Sequence, residues 1–152
     1  MLPSPASRVA ENTPAELNRR IRRQTEANLA YFAEHPDEIE DRLIELDEEW
    51  DIERVLEANA SGLALTGVVL GSLVDRRFLL LPAAVTGFLL QHALQGWCPP
   101  IPLLRRIGIR TAGEIDEERF ALKLLRGDFK GVAQPNGSAR TRARQALEAA
   151  RA

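Results

Sequence analysis

Residues Ala58–Trp97 read ANASGLALTGVVLGSLVDRRFLLLPAAVTGFLLQHALQGW, two apolar runs separated only by Asp75, Arg76 and Arg77. The first, Ala58–Val74, has 17 residues and the second, Phe78–Trp97, has 20, and neither contains Asp, Glu, Lys or Arg. A helix on the surface of a soluble domain carries charge on at least one face, so runs that are apolar all round call for burial in protein or in lipid. At about 1.5 Å per residue they would span roughly 25 and 30 Å, close to the hydrocarbon thickness of a bilayer. The pattern predicts an all-α protein built on a two-helix transmembrane hairpin, with amphipathic helices before it and one helix after it. The alternative is a hairpin buried in a soluble domain, for which the charged remainder of the 152 residues would have to wrap both helices. Asn59, Ser61, Thr66, Gln91 and His92 are unfavourable in hydrocarbon, and each Leu or Val contributes only about −0.3 to −0.6 kcal/mol to insertion. The first run is therefore expected to insert together with its neighbour.

The net charge of −2 conceals a segregation along the chain. Glu34–Glu57 holds twelve acidic residues against Arg42 and Arg54, whereas from Arg105 onward eleven Lys and Arg face six Asp and Glu. Such asymmetry predicts pairing between stretches of protein rather than binding to nucleic acid. Arg105 and Arg106 are expected to meet Glu49, Glu53 or Glu57 where the two ends of the hairpin emerge together. A single cysteine excludes an intramolecular disulfide and a cysteine-based zinc cluster, and His35 and His92 are too far apart to suggest a metal site, so no cofactor is expected. The opening MLPSPASRVAENTP lacks the apolar segment of a cleavable signal, which leaves targeting to the apolar runs. Arg42, Arg54, Arg105, Arg106 and Arg110 flank the hairpin against Arg76 and Arg77 in its turn, so both termini are expected in the cytoplasm.

Around the hairpin, residues 1–12 are polar and expected to be disordered. Residues 13–57 form a cytoplasmic helical region. Thr13, Pro14 and Glu16 read as N-cap, first helical position and capping-box partner. Leu17, Ile21 and Phe32 share one face of that helix while Arg19, Arg20, Arg22 and Arg23 point elsewhere, towards carboxylates, solvent or a membrane surface. A second helix from Asp37 carries Ile39, Leu43, Leu46 and Trp50 as a heptad-like seam. With no Pro before Ala58, it is expected to run straight into the bilayer. Residues 58–111 comprise the hairpin and a Cys-Pro turn in which Pro99, Pro100 and Pro102 argue against a regular helix. Thr111 and Glu114 form a second capping box opening a helix over 112–127, stopped at Gly127. Residues 128–152 read as a flexible basic tail, with Ser138–Arg151 weakly helical.

Several residues invite a functional reading. Gly67-x-x-x-Gly71 and the small residues Ala83 and Gly87 permit close helix contacts, one within the hairpin and the other across a homodimer. Trp97 and Trp50 suit interface anchors, although Trp50 also fits the heptad seam, and Pro82 should bend the second helix. His92 marks either a polar path or the headgroup boundary. Cys98 follows a helix C-terminus, where the dipole opposes a thiolate, while Arg105 and Arg106 lie only seven and eight residues on. A structural role is favoured over a sulfur-carrier role, because no second thiol is present.

Gly96-Trp97-Cys98-Pro99-Pro100, followed by Leu103-Leu104-Arg105-Arg106-Ile107-Gly108-Ile109-Arg110-Thr111, resembles the end of the second helix in the YgaP-like inner-membrane transmembrane domain family. That family carries a Gly-x-Cys-Pro sequence and then Leu-Gly-x-x-Thr or close to it. Arg76 and Arg77 after Asp75 resemble its short Asp-Arg turn, and the resemblance covers roughly Trp50 to Thr111. It implies a membrane hairpin that dimerises in a bacterial inner membrane. In some members the hairpin follows a rhodanese sulfurtransferase domain. None is present here, and with no second Cys sulfur transfer does not carry over. The expectation is thus a small, non-catalytic, homodimeric membrane protein in contact with the lipid bilayer, its N-terminal helices scaffolding an unknown protein partner. A sulfur-carrier or sulfurtransferase-accessory protein using Cys98 and a soluble helical interaction module are the alternatives. Paired carboxylates around a shared site, a Gly-rich phosphate loop and a Ser-His-Asp arrangement are all missing, so an ordinary enzyme is not expected.

Overall fold

The computed structural model describes residues 8–129 and 138–149, which form eight α-helices and two short 3₁₀ segments with no strand. In order these are α1 (Arg8–Glu11), α2 (Ala15–Glu34), a 3₁₀ turn at Pro36–Glu38, α3 (Ile39–Glu48), α4 (Ile52–Leu73), a 3₁₀ turn at Arg76–Leu79, α5 (Leu80–Gln95), α6 (Ile101–Arg106), α7 (Ala112–Arg126) and α8 (Ala139–Ala149). The chain divides into two compact units. One contains the described residues up to Gln24 together with Glu49–Ile115, and the other contains Thr25–Glu48 and the described residues from Asp116 onward.

In the first unit, α4 and α5 form the hairpin that the apolar runs predict. Asp51 starts α4: its backbone is extended, and its carboxylate accepts the Arg54 N–H at 2.8 Å. The continuous helix expected from Asp37 into the apolar run is therefore broken between Glu48 and Ile52. Asp51 acts as an N-cap, a role that an acidic run hides because any of its carboxylates could fill it. At the far end the Asp75 carboxylate accepts the Arg77 N–H at 2.8 Å and turns the chain into the 3₁₀ segment. Pro82 falls in the first turn of α5, just after the 3₁₀ segment, where its missing N–H costs little.

The hairpin closes through its glycines. A Cβ on Gly67 would lie 2.4 Å from Pro82 Cδ, and one on Gly71 would lie 2.6 Å from Leu79 Cδ2. Of the two small-residue motifs, this one therefore serves the internal contact of the hairpin.

The outward faces are apolar and uncovered. In the most apolar 18 residues of the segment Pro36–Leu73 only 17% are buried, and in those of Arg76–Gln95 only 6%; both segments are long and apolar enough to cross a membrane. Four polar side chains on these helices are satisfied within their own helix. Asn59, Thr66, Ser72 and Thr86 each donate to the carbonyl four residues earlier, at 2.7–2.8 Å. That lowers the penalty of placing these groups in hydrocarbon.

The three prolines after Trp97 do not prevent a helix. Pro100 caps α6 and Pro102 occupies its first turn, positions that need no backbone donor. Residues 8–12 are not disordered: α1 is one helical turn, and Val9 joins Ile52, Leu56, Cys98 and Ile101 in the core below the hairpin. Thr13 donates its hydroxyl to the Val9 carbonyl at 2.7 Å rather than capping α2. The rest of the expected N-terminal disorder, at 1–7, lies outside the described residues, as do 130–137 and 150–152 of the expected tail; Ala139–Ala149 is helical.

In the second unit, Ile39, Leu43 and Leu46 of α3 are buried as the heptad spacing predicts. Trp50 lies beyond the end of that helix, half exposed, with the Arg54 guanidinium 4.3 Å above its ring. Glu118 of α7 is fully buried, where its carboxylate accepts from Asn28 Nδ2 at 3.1 Å and Arg42 Nε at 3.0 Å.

Candidate functional site

Polar chemistry in the first unit concentrates at the base of the hairpin, where α4 begins and α5 ends. Helix α5 has carbonyls near its C-terminus that no further turn can satisfy. Two side chains of the N-terminal turn meet them: Arg8 Nη1 donates to the Ala93 carbonyl at 3.2 Å and Asn12 Nδ2 to the Gln95 carbonyl at 3.0 Å. A guanidinium there also complements the negative end of the helix dipole. Gly96 ends α5 in the left-handed region at φ +73°, and a Cβ on it would lie 2.5 Å from Arg8 Cβ. Only glycine meets both demands at once.

The same guanidinium reaches into the unit. Arg8 Nη2 donates to Glu53 Oε1 at 3.1 Å, and His92 Nε2 lies 2.5 Å from Glu53 Oε2. His92 is 3% exposed, and its Nδ1 has no hydrogen-bond partner among the described residues. The His92 ring is a buried partner of the first turn of α4.

Two further arginines complete the base. Arg105 is fully enclosed and forms a bidentate pair with Glu114, at 2.6 and 2.7 Å, while also donating to Asn18 Oδ1 at 2.9 Å and the Ile109 carbonyl at 3.2 Å. Burial works against the charged Glu114, but the Arg105 guanidinium and the Thr111 groups outweigh it and hold the carboxyl below its ordinary range. The capping box is present as predicted, with the Thr111 N–H on Glu114 Oε2 at 2.8 Å and the Glu114 N–H on Thr111 Oγ1 at 3.2 Å. Arg110 forms the second bidentate pair, with Glu49 at 2.8 and 2.5 Å, and its carbonyl accepts the Ile52 N–H at 2.8 Å.

The expected pairing of acidic and basic stretches thus occurs with different members. Arg105 does not meet Glu49, Glu53 or Glu57; a nearer carboxylate, nine residues away on α7, takes it. Arg106 is exposed and forms no ion pair among the described residues, and Arg110 takes Glu49 instead.

Of the other residues singled out in the sequence, Arg105 and Thr111 converge on Glu114, while Cys98 and Pro99 line one groove. Arg76 and Arg77 stand exposed in the turn, Gly67 and Gly71 lie inside the hairpin, and Trp97 is partly exposed at the end of α5. Cys98 is 7% exposed among Val9, Ile52, Leu56 and Ile101, and burial pushes its thiol up. A thiol so placed is a small apolar packing group, with its reactive form disfavoured.

Arg8, Asn12, Asn18, Glu53 and His92 were not legible as a group. No local spacing joins Arg8 to Glu53, 45 residues away, or His92 to Glu53, 39 residues away. The one available signal was that His92 and Glu53 are ionisable groups bordering apolar helices, where such groups need partners. Among the described residues, no three His, Cys, Asp or Glu side chains gather as metal ligands would. Comparison with protein-family models, with curated proteins and with solved structures finds no match to this chain in any of the three.

Proposed function

We propose that the chain is a small integral membrane protein of the YgaP-like hairpin type, anchored by α4 and α5 in a bacterial inner membrane with both termini in the cytoplasm. The observation that carries this reading is the exposure of the apolar faces of both helices. A soluble module would have to cover those faces, whereas lipid needs them open. The internally bonded hydroxyls point the same way, and the arginines flanking the hairpin favour cytoplasmic ends. The role is non-catalytic: the hairpin is an anchor, and the helices outside it scaffold a protein partner. For a homodimer the available surface is the face of α5 around Ala83 and Gly87, where a Cβ on Gly87 would meet nothing within 4 Å.

Alkaline carbonate extraction tests the anchor, and the protein should stay in the membrane pellet. Topology follows from Arg77→Cys in a Cys98→Ala background, which an impermeant maleimide should label in intact cells. Labelling of cysteines at the termini, but not at 77, would reverse the orientation. The sulfur-carrier reading takes over if Cys98 of protein isolated from cells carries a persulfide.

A further inference from the structure

Beside the buried base, a groove of about 410 Å³ opens between α4, α5 and α6, a volume in the range of small-molecule sites. Leu56 and Leu63 of α4, Phe88 and Leu89 of α5, and Cys98 and Leu103 at the α6 end wall it. Leu56 and Leu63 are two helical turns apart, so the wall runs about 10 Å along α4. Asn59 also borders it, but its amide donates to the Val55 carbonyl at 2.7 Å and is committed to its own helix. The groove offers an occupant an aliphatic wall and almost no hydrogen-bonding partner.

A charge follows the α6 wall along the helix. Arg106 lies one helical turn beyond Leu103, exposed and without an ion pair among the described residues, whereas Arg8, Arg105 and Arg110 are all held by carboxylates. Leu103 and Ile107 on either side are 62% and 66% exposed, so the apolar surface of the hairpin continues onto α6 up to that guanidinium. An aliphatic slot whose Leu103 wall lies one helical turn before an exposed guanidinium complements a molecule with an alkyl tail and an anionic head, and a guanidinium fork suits phosphate.

We propose that this groove holds one acyl chain of an anionic phospholipid, with its phosphate on Arg106. The proposal rests on the membrane reading of α4 and α5. Native mass spectrometry of the full chain in mild detergent, incubated with phosphatidylglycerol or phosphatidylcholine, should show preferred retention of phosphatidylglycerol. Arg106→Gln should lower that preference about fivefold, the weight of one surface cation on an anionic lipid. Ala60→Trp, which fills the slot from the α4 wall, should lower retention of both lipids about tenfold or more. Because a tryptophan there can also displace α6, a second measurement uses the unaltered protein: phosphatidylglycerol with a photoreactive acyl chain should crosslink to peptides containing Leu63 or Phe88. Equal retention of the two lipids by parent and Arg106→Gln, or absence of those crosslinks, overturns the proposal. Protein–protein crosslinks at the same peptides in place of lipid would assign the groove to a second copy and also overturn it. Carbonate extraction keeps the two readings apart, since release of the parent protein defeats the membrane anchor, while retention without lipid in the groove defeats only the occupant.

Discussion

Leu73 and Leu80 on the hairpin are 80% and 73% exposed, while Arg105 at its base is 1% exposed. The two regions follow opposite rules within one compact unit. Along the seam of α4 and α5 the packing uses glycines while leucines such as Leu65, Leu73 and Leu80 are left outside; at the base guanidiniums and carboxylates are drawn together into ion pairs. A domain surrounded by water on all sides distributes these groups the other way. The inversion is what an apolar medium around the hairpin and a closed, charge-paired platform beneath it would select.

If the base depends on paired charge, breaking a pair should cost more than any change in the hairpin. Arg105→Ala leaves Glu114 partly buried without its guanidinium, and unfolding of the detergent-solubilised protein should show a loss of about 3 kcal/mol. A loss below about 1 kcal/mol would mean that solvent replaces the pair, and the contrast would collapse. The same pair sets an acid limit. The Glu114 carboxyl is lowered on folding, so it contributes stability above its ordinary value of 4.5 and loses that contribution as pH falls through the lowered folded value. Thermal unfolding of the parent should therefore weaken below pH 4.5 more steeply than that of Glu114→Gln.

Within the hairpin the sensitive positions are small rather than charged. Gly67→Leu drives a side chain into Pro82 and should destabilise by about 2 kcal/mol, whereas Val69→Leu, on an exposed face, should be silent in the same assay. Equal effects would show that α4 and α5 do not pack through this seam. Asp51→Ala removes the cap between the two regions and should cost about 1 kcal/mol, read as reduced helicity and earlier unfolding. The smallest effect belongs to Cys98→Ala, which deletes one sulfur from the apolar core and should cost less than about 1 kcal/mol while leaving membrane retention intact. A large loss of stability there would assign the thiol more than a packing role.

The sequence made some of this visible and hid the rest for definite reasons. The two apolar runs, the seam of Ile39, Leu43 and Leu46, and the Thr111–Glu114 box are local patterns, and local patterns survive into the structure. Asp51 as a helix start was obscured by the acidic residues around it. Pro100 and Pro102 read as helix breakers because their effect depends on whether they stand in the first turn or beyond it. Gly67 and Gly71 were legible as close contacts, but which of the two motifs served the hairpin and which a dimer was not. The triad of Arg8, Glu53 and His92 joins three distant stretches, so no periodicity, cap or turn announced it.

Arg8 also imposes an order in time. Its contacts on Glu53 and Ala93 lie 45 and 85 residues further along the chain. At a synthesis rate of about 5–20 residues per second, α1 waits on the order of 10 s between its own emergence and that of its binding place at the end of α5. During that interval the Glu53 carboxylate enters the first turn of its helix before His92 has been made. Helix α1 is made before the hairpin, and its docking coincides with completion of the hairpin.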